Sequence, residues 1–370
     1  MKIAIQAADL DAARIDGTRV YILNLLKYFG ILDQTSDFLI YHKNKFNPEL
    51  TPPAFTNYKI RKIPFPYLWT QTRFCWNLRK DQPDILWMPM HNIPIFTPKR
   101  TKTFVTIHDL AFKYYPKYFP RGDLMKLNIL INLAIKRSDK IIAVSESTKR
   151  DILKFYPEVS PDKIRVIYHG FDEDFYNQKR DPEADVSIKR EFGLSQKYIL
   201  YTGALQPRKN LIRLIEAFDI LKRDGQNIQL VLAGEKAWMY EEIFDKIEKS
   251  PNKKDIINTG GIGFQELSRL MRGASVFVFP SLYEGFGIPV LEAMASRVPV
   301  VLARNSSLIE VGGEAALYFE TESSRDLASK IRKVLEDKEL SRELIIRGSE
   351  QIKKFSWEKC ARETLNYLKS

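Results

Sequence analysis

The chain has 370 residues, 44% of them hydrophobic and 28% charged, which is the balance of a folded globular protein and excludes a disordered one. This length exceeds one ordinary core and predicts two domains. No apolar run approaches the roughly 20 residues of a membrane span, and the N-terminal segment lacks the pattern of a signal peptide. Cys75 and Cys360 lie far apart, which excludes a disulfide framework and a zinc motif and makes a cytoplasmic location the default expectation.

The net charge of +12 is concentrated in the first half of the chain. Residues 1–180 contain 29 Lys and Arg against 18 Asp and Glu, whereas the remainder is nearly neutral at +1. Such a bias attracts anions, and an ordinary basic surface is the alternative explanation. Because no helix-turn-helix, zinc-finger or RNA-recognition signature is evident, we expect no nucleic-acid partner.

Short apolar runs alternate with helical patterns along the chain, which is typical of βαβ units and parallel sheets. In the first half the predicted strands are KIAIQAA, FLIYH, DILWMP, KTFVTIHD, KIIAVSE and IRVIYHG. Helices are predicted over Val20–Phe29, Leu124–Arg137 and Thr148–Phe155, the last with Ser147 as its N-cap.

A polar stretch from about 171 to 196 carries no strand pattern and is the predicted domain boundary. After it, strands are predicted at YILYTGA, IQLVLAG, IINTGGI, SVFVFP and VPVVLA. Helices are predicted over Leu211–Lys222 and Phe264–Arg272 and near the C-terminus. The chain is therefore predicted to be an α/β protein with two successive parallel-sheet halves.

The stretch PSLYEGFGIPVLEAMA, residues 280–295, places Glu284 in a glycine-bearing loop and Glu292 about one turn into the following helix. With Pro289 as the first helical residue, the N–H groups at the helix start are available to a phosphate. A ligand contact and an ordinary surface glutamate favoured by the helix dipole explain Glu292 equally well.

A second loop, TGALQPRKN, delivers Arg208 and Lys209 to the same sheet edge, because the carboxyl ends of parallel strands meet there. Adjacent cations of these two types suit a diphosphate. In the first half, His108 ends the strand of TIHDL, and Gly17 supplies a turn before a helix. Taken alone, a histidine is more often structural, and a single glycine is weak evidence of a ligand site.

The segment EGFGIPVLE matches the Glu-x7-Glu motif of retaining glycosyltransferases of family 4 (glycosyl transferases group 1). Further segments resemble that family in its order, among them GTRVYILNLL, VTIHDLAF, YTGALQPRKNL, LVLAGEKAW and SSLIEVGGEAALYF. The resemblance implies the GT-B fold, two Rossmann-like doubly wound domains with a cleft between them. It assigns acceptor binding to residues 1–178, joined by a C-terminal helix of about 356–370, and nucleotide-sugar binding to residues 179–355.

The resemblance also implies a role for individual residues. The implied catalytic residues are His108, Arg208, Lys209 and Glu284. The implied donor-binding residues are Gly17, Gly203, Ile262, Gly285, Phe286, Gly287, Ile288 and Glu292. In this scheme Glu284 binds hydroxyls of the donor sugar, Glu292 binds the ribose, and the two cations neutralise the diphosphate.

The resemblance also implies roles for His108, Gly17 and Ile262. His108 contacts the transferred sugar, Gly17 brings backbone to the phosphates, and Ile262 marks contacts to the base. Many family members have Arg after the glycine where this chain has Gly203–Ala204, so one phosphate contact is missing and Arg208 would compensate.

The implied activity is retaining transfer of a hexose, of mannose or glucose type, from a nucleotide-diphosphate sugar to a glycan or lipid-linked acceptor in surface polysaccharide synthesis. No metal or other cofactor is expected, and GDP-mannose is the first candidate donor, with a UDP-sugar second. The acidic DED at residues 172–174 is interpreted as solvated.

Other activities are compatible with parts of the pattern. A nucleotide-sugar epimerase, or a nucleotide-sugar-binding protein without transferase activity, is the alternative. A glycoside hydrolase with Glu284 and Glu292 as acid and base is disfavoured, because hydrolysis of a neutral sugar does not require a cationic loop beside the two carboxylates.

Two segments mix aromatic and basic residues, PFPYLWTQTRFCWNLRKDQ (64–82) and FKYYPKYFPRGDLMK (112–126). This composition suits peripheral contact with an anionic membrane and a lipid-diphosphate-linked acceptor at the inner face of the plasma membrane. Helix packing with a basic outer face explains the same pattern.

Overall fold

The computed structural model describes residues 1–173, 182–195 and 197–370 and divides them into two compact units. Unit 1 comprises Met1–Leu110, Arg121–Gly170 and Trp357–Ser370, and unit 2 comprises Ala111–Pro120 and Phe171–Ser356. The C-terminal helix thus groups with unit 1. Residues 111–120 group with unit 2, although the sequence-based division places them in the first domain.

Thirteen strands form in the described residues. In chain order they are β1 Lys2–Gln6, β2 Asp37–His42, β3 Tyr58–Lys62, β4 Ile85–Met88, β5 Lys102–Ile107, β6 Lys140–Ala143, β7 Ile164–Val166, β8 Lys197–Thr202, β9 Ile228–Ala233, β10 Ile256–Gly260, β11 Val276–Phe279, β12 Val300–Ala303 and β13 Ala316–Phe319.

The α-helices of the same residues are numbered separately. They are α1 Gly17–Leu32, α2 Cys75–Asp81, α3 Ala111–Tyr114, α4 Arg121–Arg137, α5 Glu146–Phe155, α6 Pro182–Glu191, α7 Leu211–Arg223, α8 Glu241–Lys249, α9 Phe264–Gly273, α10 Ile288–Ala295, α11 Leu308–Gly312, α12 Ser324–Glu336, α13 Lys338–Gln351 and α14 Trp357–Leu368.

Unit 1 contains a seven-stranded sheet in the order β3-β2-β1-β4-β5-β6-β7, with every pairing parallel. Unit 2 contains a six-stranded parallel sheet in the order β10-β9-β8-β11-β12-β13. Both are doubly wound, and the strand order reverses between β1 and β4 in unit 1 and between β8 and β11 in unit 2. In such sheets ligands bind outside the carboxyl ends of the strands at the reversal.

Hydrophobic burial explains which strands the sequence predicts. Every residue of β9, β11 and β12 is buried, as expected for central strands of a parallel sheet covered on both faces. The edge strands β3 (YKIRK) and β13 (ALYF) are not predicted from the sequence, because only part of their residues are buried.

Three sequence-based details are corrected by the structure. Helix α5 is capped by Ser145, whose hydroxyl accepts from the Thr148 amide at 3.0 Å, rather than by Ser147. Helix α10 begins at Ile288, so Pro289 is its second residue. The predicted boundary stretch, residues 171–196, contains helix α6. Residues 174–181 and 196 of this stretch, including Asp174 of the DED, lie outside the described residues.

Across the described ranges, no helix combines the length and the apolar character that crossing a bilayer requires.

Candidate functional site

Two loops leave the sheet of unit 2 at its reversal point. The cation loop, residues 203–210, follows β8, and the Glu284 loop, residues 280–287, follows β11. Strands β8 and β11 are hydrogen-bonded neighbours, so their loops emerge side by side. The main-chain amide of Leu282 donates to the carbonyl of Arg208 at 2.9 Å, which joins the two loops directly.

Glu284 forms ion pairs with both cations of the neighbouring loop. Lys209 Nζ lies 2.5 Å from Glu284 Oε1, and Arg208 Nη1 lies 3.4 Å from Glu284 Oε2. The three side chains are only 10–12% exposed. The structure therefore brings together the three residues expected from the sequence, as a buried cluster with one net positive charge.

The electrostatics of the cluster keep Glu284 ionised. Burial by itself would raise the pKa of the Glu284 carboxyl, but the charges of Lys209 and Arg208 and the hydrogen bond from Lys209 hold that pKa below its usual value. A carboxyl that is ionised at neutral pH does not serve as a general acid. Glu284 is consequently unsuited to the acid role that a glycoside hydrolase requires.

Side-chain donors hold the main chain of the Glu284 loop, whose carbonyls would otherwise lack strand partners. Six of its carbonyls accept such bonds. The donor–acceptor pairs are Asn210–Pro280 at 3.1 Å, Asn305–Ser281 at 2.8 Å, Tyr115–Leu282 at 3.2 Å, Arg208–Tyr283, Ser307–Glu284 at 2.9 Å and Ser307–Phe286 at 2.7 Å. The Glu284 amide donates in turn to Ser306 Oγ at 3.0 Å. These bonds position the Glu284 carboxylate through its own backbone.

The start of helix α10 supplies the other part of this loop. Gly287 is its N-cap at φ +111°, a conformation that strains residues with a side chain. Phe286 is buried and packs edge-on against Phe355 with ring centroids 5.7 Å apart. Gly285 is buried, and Ile288 opens the helix. The turn predicted to hold sugar and phosphate is therefore rigidly built.

The remaining unit 2 candidates also lie at the carboxyl edge of the sheet or just beyond it. Gly203 follows β8 at φ +134°, and a side chain there would meet Tyr201 Oη at 2.9 Å. Ile262 is half-buried in the loop between β10 and α9. Glu292 is half-buried in α10. The structure thus places Glu284 and Glu292 on different elements, a loop and a helix.

In unit 1, His108 follows β5 and is held by the loop after β4. Its Nε2 lies 2.8 Å from the carbonyl oxygen of Pro89, and since a carbonyl only accepts, Nε2 carries the proton. Burial lowers the pKa of His108, against smaller opposing effects from Pro89, Asp109 and Asp16. The ring packs against Tyr21, with centroids 5.1 Å apart, and is neutral at physiological pH.

Gly17 is the first residue of helix α1 in unit 1 and is exposed. The preceding Asp16 caps the helix, because its carboxylate accepts from the Arg19 amide at 3.3 Å. Arg19 also forms an ion pair with Asp16. The helix start beside Gly17 therefore already carries a carboxylate whose charge is balanced by Arg19.

Metal ligands do not cluster in the part of the chain that the structure describes: no group of three or more His, Cys, Asp or Glu side chains there is arranged to hold an ion.

Two family models match nearly the whole chain. Glycosyltransferase Family 4 matches residues 15–175, and Glycosyl transferases group 1 matches residues 185–351. The chain belongs to the family 4 (group 1) glycosyltransferases. The expected family is confirmed, and with it the transferase class.

Several of the relatives are named mannosyltransferases. O-antigen chain mannosyltransferase B of Escherichia coli is 29% identical over 300 residues, covering 80% of this chain and 77% of that protein. Serotype-specific mannosyltransferase WbdA of Escherichia coli is 31% identical over 274 residues, covering 73% of this chain and 33% of WbdA. O-antigen chain mannosyltransferase RfbU of Salmonella typhimurium is 29% identical over 66% of this chain and 63% of RfbU.

Solved structures confirm the fold. Anabaena HepE, crystallised with UDP and glucose, has a TM-score of 0.76 at 17% identity, covering 100% of this chain and 99% of HepE. Sucrose-phosphate synthase from Thermosynechococcus elongatus has a TM-score of 0.77 at 18% identity, covering 100% and 98%. This family 4 chain therefore has the GT-B fold of two Rossmann-like domains.

Sequence reasoning missed the residues that hold the Glu284 loop. Asn305, Ser306 and Ser307 follow β12 in the segment NSSLIE, and the family resemblance covers this segment only from Ser306 onward. Their position after the next strand of the sheet was the available signal. Tyr115 had no such signal, because it precedes the loop by 167 residues.

Acidification is expected to destabilise this glycosyltransferase between pH 6.5 and 4. Burial lowers the pKa of His108 and His169 and, with the charge of His108, lowers that of His91 to about 4. Unfolded histidines bind protons near pH 6.5, so each depressed pKa makes stability fall as the pH drops below that value, by up to about 1.4 kcal/mol per pH unit. Denaturant unfolding between pH 7.5 and 4.5 measures the slope.

The variant His91→Gln cannot titrate and should show a shallower slope in that range, by the equivalent of one proton. Equal slopes in the variant and the wild type would contradict a neutral His91.

Proposed function

We propose that this family 4 chain is a retaining hexosyltransferase. It moves a hexose of mannose or glucose type from a nucleotide-diphosphate sugar to a glycan or lipid-linked acceptor in surface polysaccharide synthesis. The observation that carries the proposal is the buried cluster of Arg208, Lys209 and Glu284 at the reversal point of the unit 2 sheet. Its net positive charge suits the diphosphate of a donor, and its carboxylate suits sugar hydroxyls.

In this proposal each side chain has a separate task. Arg208 and Lys209 stabilise the charge that grows on the diphosphate as it leaves, where stabilisation lowers the barrier most. Glu284 accepts hydrogen bonds from donor hydroxyls, while the Gly285–Ile288 backbone and the helix start bind sugar and phosphate. Glu292 accepts from the ribose, Gly203 lies beside the phosphates, and Ile262 marks the base pocket.

In unit 1, His108 is proposed to act as an uncharged hydrogen-bonding group and Gly17 as a backbone contact. His108, held by Pro89, contacts the transferred sugar, and Gly17 approaches the phosphates. In the proposed step the acceptor oxygen bonds to the anomeric carbon on the face from which the phosphate oxygen departs, and the acceptor proton passes to that phosphate. Configuration is retained, and neither a protein nucleophile nor a metal is required.

We propose GDP-mannose as the first candidate donor and a UDP-sugar as the second. Two relatives named as O-antigen chain mannosyltransferases support mannose, and the UDP in the HepE structure supports the second candidate.

We further propose that the protein acts in the cytoplasm at the inner face of the plasma membrane, through an aromatic–basic face of unit 1. This face comprises residues 65–76 and 93–96, which are joined because Gln71 donates to the Ile93 carbonyl at 2.9 Å and accepts from the Ile95 amide at 2.7 Å. Tyr67, Leu68, Trp76 and Phe96 are 58–76% exposed on it.

The charge around this face fits an anionic surface. Residues 59–108 contain nine Lys and Arg and only two acidic residues, Asp81 and Asp84. Arg73 extends over the Phe65 ring, 5.2 Å from its centroid. Exposed aromatic rings bordered by cations are typical of proteins that bind the interface of an anionic membrane.

The variant Glu284→Gln is expected to lose about 10- to 100-fold in kcat, because a charged hydrogen-bond partner of the donor is removed. It is also expected to lose about 3–5 kcal/mol of stability, since two buried cations lose the negative charge of Glu284 beside them. Turnover is measured in the presence of a chelator and well below the unfolding temperature. Glu339→Gln, a change at a surface carboxylate, is the control.

Near-normal turnover of Glu284→Gln would remove Glu284 from the mechanism. A sugar changed without transfer to an acceptor would instead favour the epimerase.

A panel of GDP-, UDP-, dTDP- and ADP-sugars should raise the unfolding temperature selectively, because a donor that binds only the folded protein stabilises it. GDP-mannose is expected to give the largest shift. Arg208→Gln should reduce the shift, since the diphosphate loses its bidentate partner. A larger shift with a UDP-sugar would reassign the donor, and no shift with any donor would contradict the proposal.

Flotation is expected to show binding to vesicles containing anionic phospholipid, weaker binding to neutral vesicles, and loss with added salt. The double variant Leu68→Ser/Trp76→Ser should bind more weakly, because it removes two exposed apolar groups from the face. Ile346→Ser, at an exposed apolar position on α13, is the control. Absence of flotation with anionic vesicles at low salt would rule out the membrane contact.

A further inference from the structure

Residues 111–120 contact the Glu284 loop at the two positions that precede Glu284. The Tyr115 hydroxyl donates to the carbonyl of Leu282 at 3.2 Å. The Tyr114 ring stacks on Tyr283 with centroids 5.5 Å apart and an interplanar angle of 28°. Both tyrosines belong, with the loop, to unit 2.

The same segment has a second attachment at another loop of unit 2. Trp238 Nε1 donates to the carbonyl of Tyr118 at 2.7 Å, and the Phe119 ring lies 5.9 Å from that of Trp238. Trp238 follows β9, whereas the Glu284 loop follows β11. The segment is therefore fastened at two points to loops that leave the carboxyl edge of the unit 2 sheet.

The hydrogen bond to the Leu282 carbonyl is one of several that side chains donate to successive carbonyls of the Glu284 loop. The carbonyls of Pro280, Ser281, Tyr283 and Glu284 accept from side chains located after β8 or β12 of the same sheet. Between them, the Leu282 carbonyl accepts from Tyr115, far away in sequence. Because Leu282 also donates its amide to Arg208, the Tyr115 bond constrains a residue that ties the cation loop to the Glu284 loop.

We propose that Tyr115 and Tyr114 are positioning residues for Glu284: they hold Leu282 and Tyr283 so that the carboxylate keeps its place between Lys209 and Arg208. This inference rests on the proposed function insofar as Glu284 acts on the donor. The hydroxyl of Tyr115 is a dependable donor, since burial and the nearby Glu322 raise its pKa and keep it protonated.

The test is Tyr115→Phe, which deletes the hydrogen bond and keeps the ring. Hydrogen exchange of peptides covering residues 281–287 should become about three- to tenfold faster, in proportion to the net worth of one hydrogen bond. The matched control is Tyr118→Phe, which removes a hydroxyl from the same segment and keeps the carbonyl that Trp238 binds. Unchanged exchange in Tyr115→Phe, or equal acceleration in both variants, would overturn the proposal.

Kinetics separate positioning from a purely structural role. Tyr115→Phe should lower kcat by about three- to tenfold, with the acceptor KM unchanged at a temperature where both proteins are folded. In the Glu284→Gln background the same change should have no further effect on the residual turnover, because it acts through Glu284. A multiplicative loss in that background would contradict the mechanism.

The proposed function and the positioning role of Tyr115 can be disproved independently of each other. A wild-type protein that transfers no sugar from any donor overturns the proposed function, whereas the exchange rates of residues 281–287 still decide whether Tyr115 holds the loop.

Discussion

The ion pair of Lys209 with Glu284, at 2.5 Å, is the constraint around which the candidate site is built. A buried carboxylate is costly unless it is paired and hydrogen-bonded, and here Arg208 supplies a second ion pair. The two loops that carry these charges leave neighbouring parallel strands, so the sheet itself brings them together. The cluster keeps one positive charge, which a bound diphosphate would neutralise.

The loop that presents Glu284 has no strand partner for its carbonyls, and buried carbonyls must be satisfied. Side chains from three separate parts of unit 2 meet this requirement: Asn210 after β8, Asn305 and Ser307 after β12, and Tyr115 from residues 111–120. A rigid loop holds its carboxylate in one geometry before any ligand arrives. Such preorganisation is what electrostatic catalysis depends on.

The two units differ in what sets the charge of their candidate site residues. In unit 2, ion pairing keeps Glu284 charged although it is buried, whereas in unit 1 burial keeps His108 neutral and its proton on Nε2. A charged cluster suits a donor diphosphate, and a neutral imidazole suits a sugar hydroxyl. This contrast supports transfer from a nucleotide sugar rather than hydrolysis, which would need a protonated carboxyl.

The sequence by itself determined the family, the fold class, eleven of the thirteen strands in the described residues, and the loops that carry Arg208, Lys209 and Glu284. It did so because buried parallel strands are continuous apolar runs and loops follow them in a fixed order. Only the tertiary structure decided that Glu284 pairs with both cations, that Ser145 caps α5, and that residues 111–120 group with unit 2. Such contacts join residues far apart in sequence, where local pattern carries no information about distance.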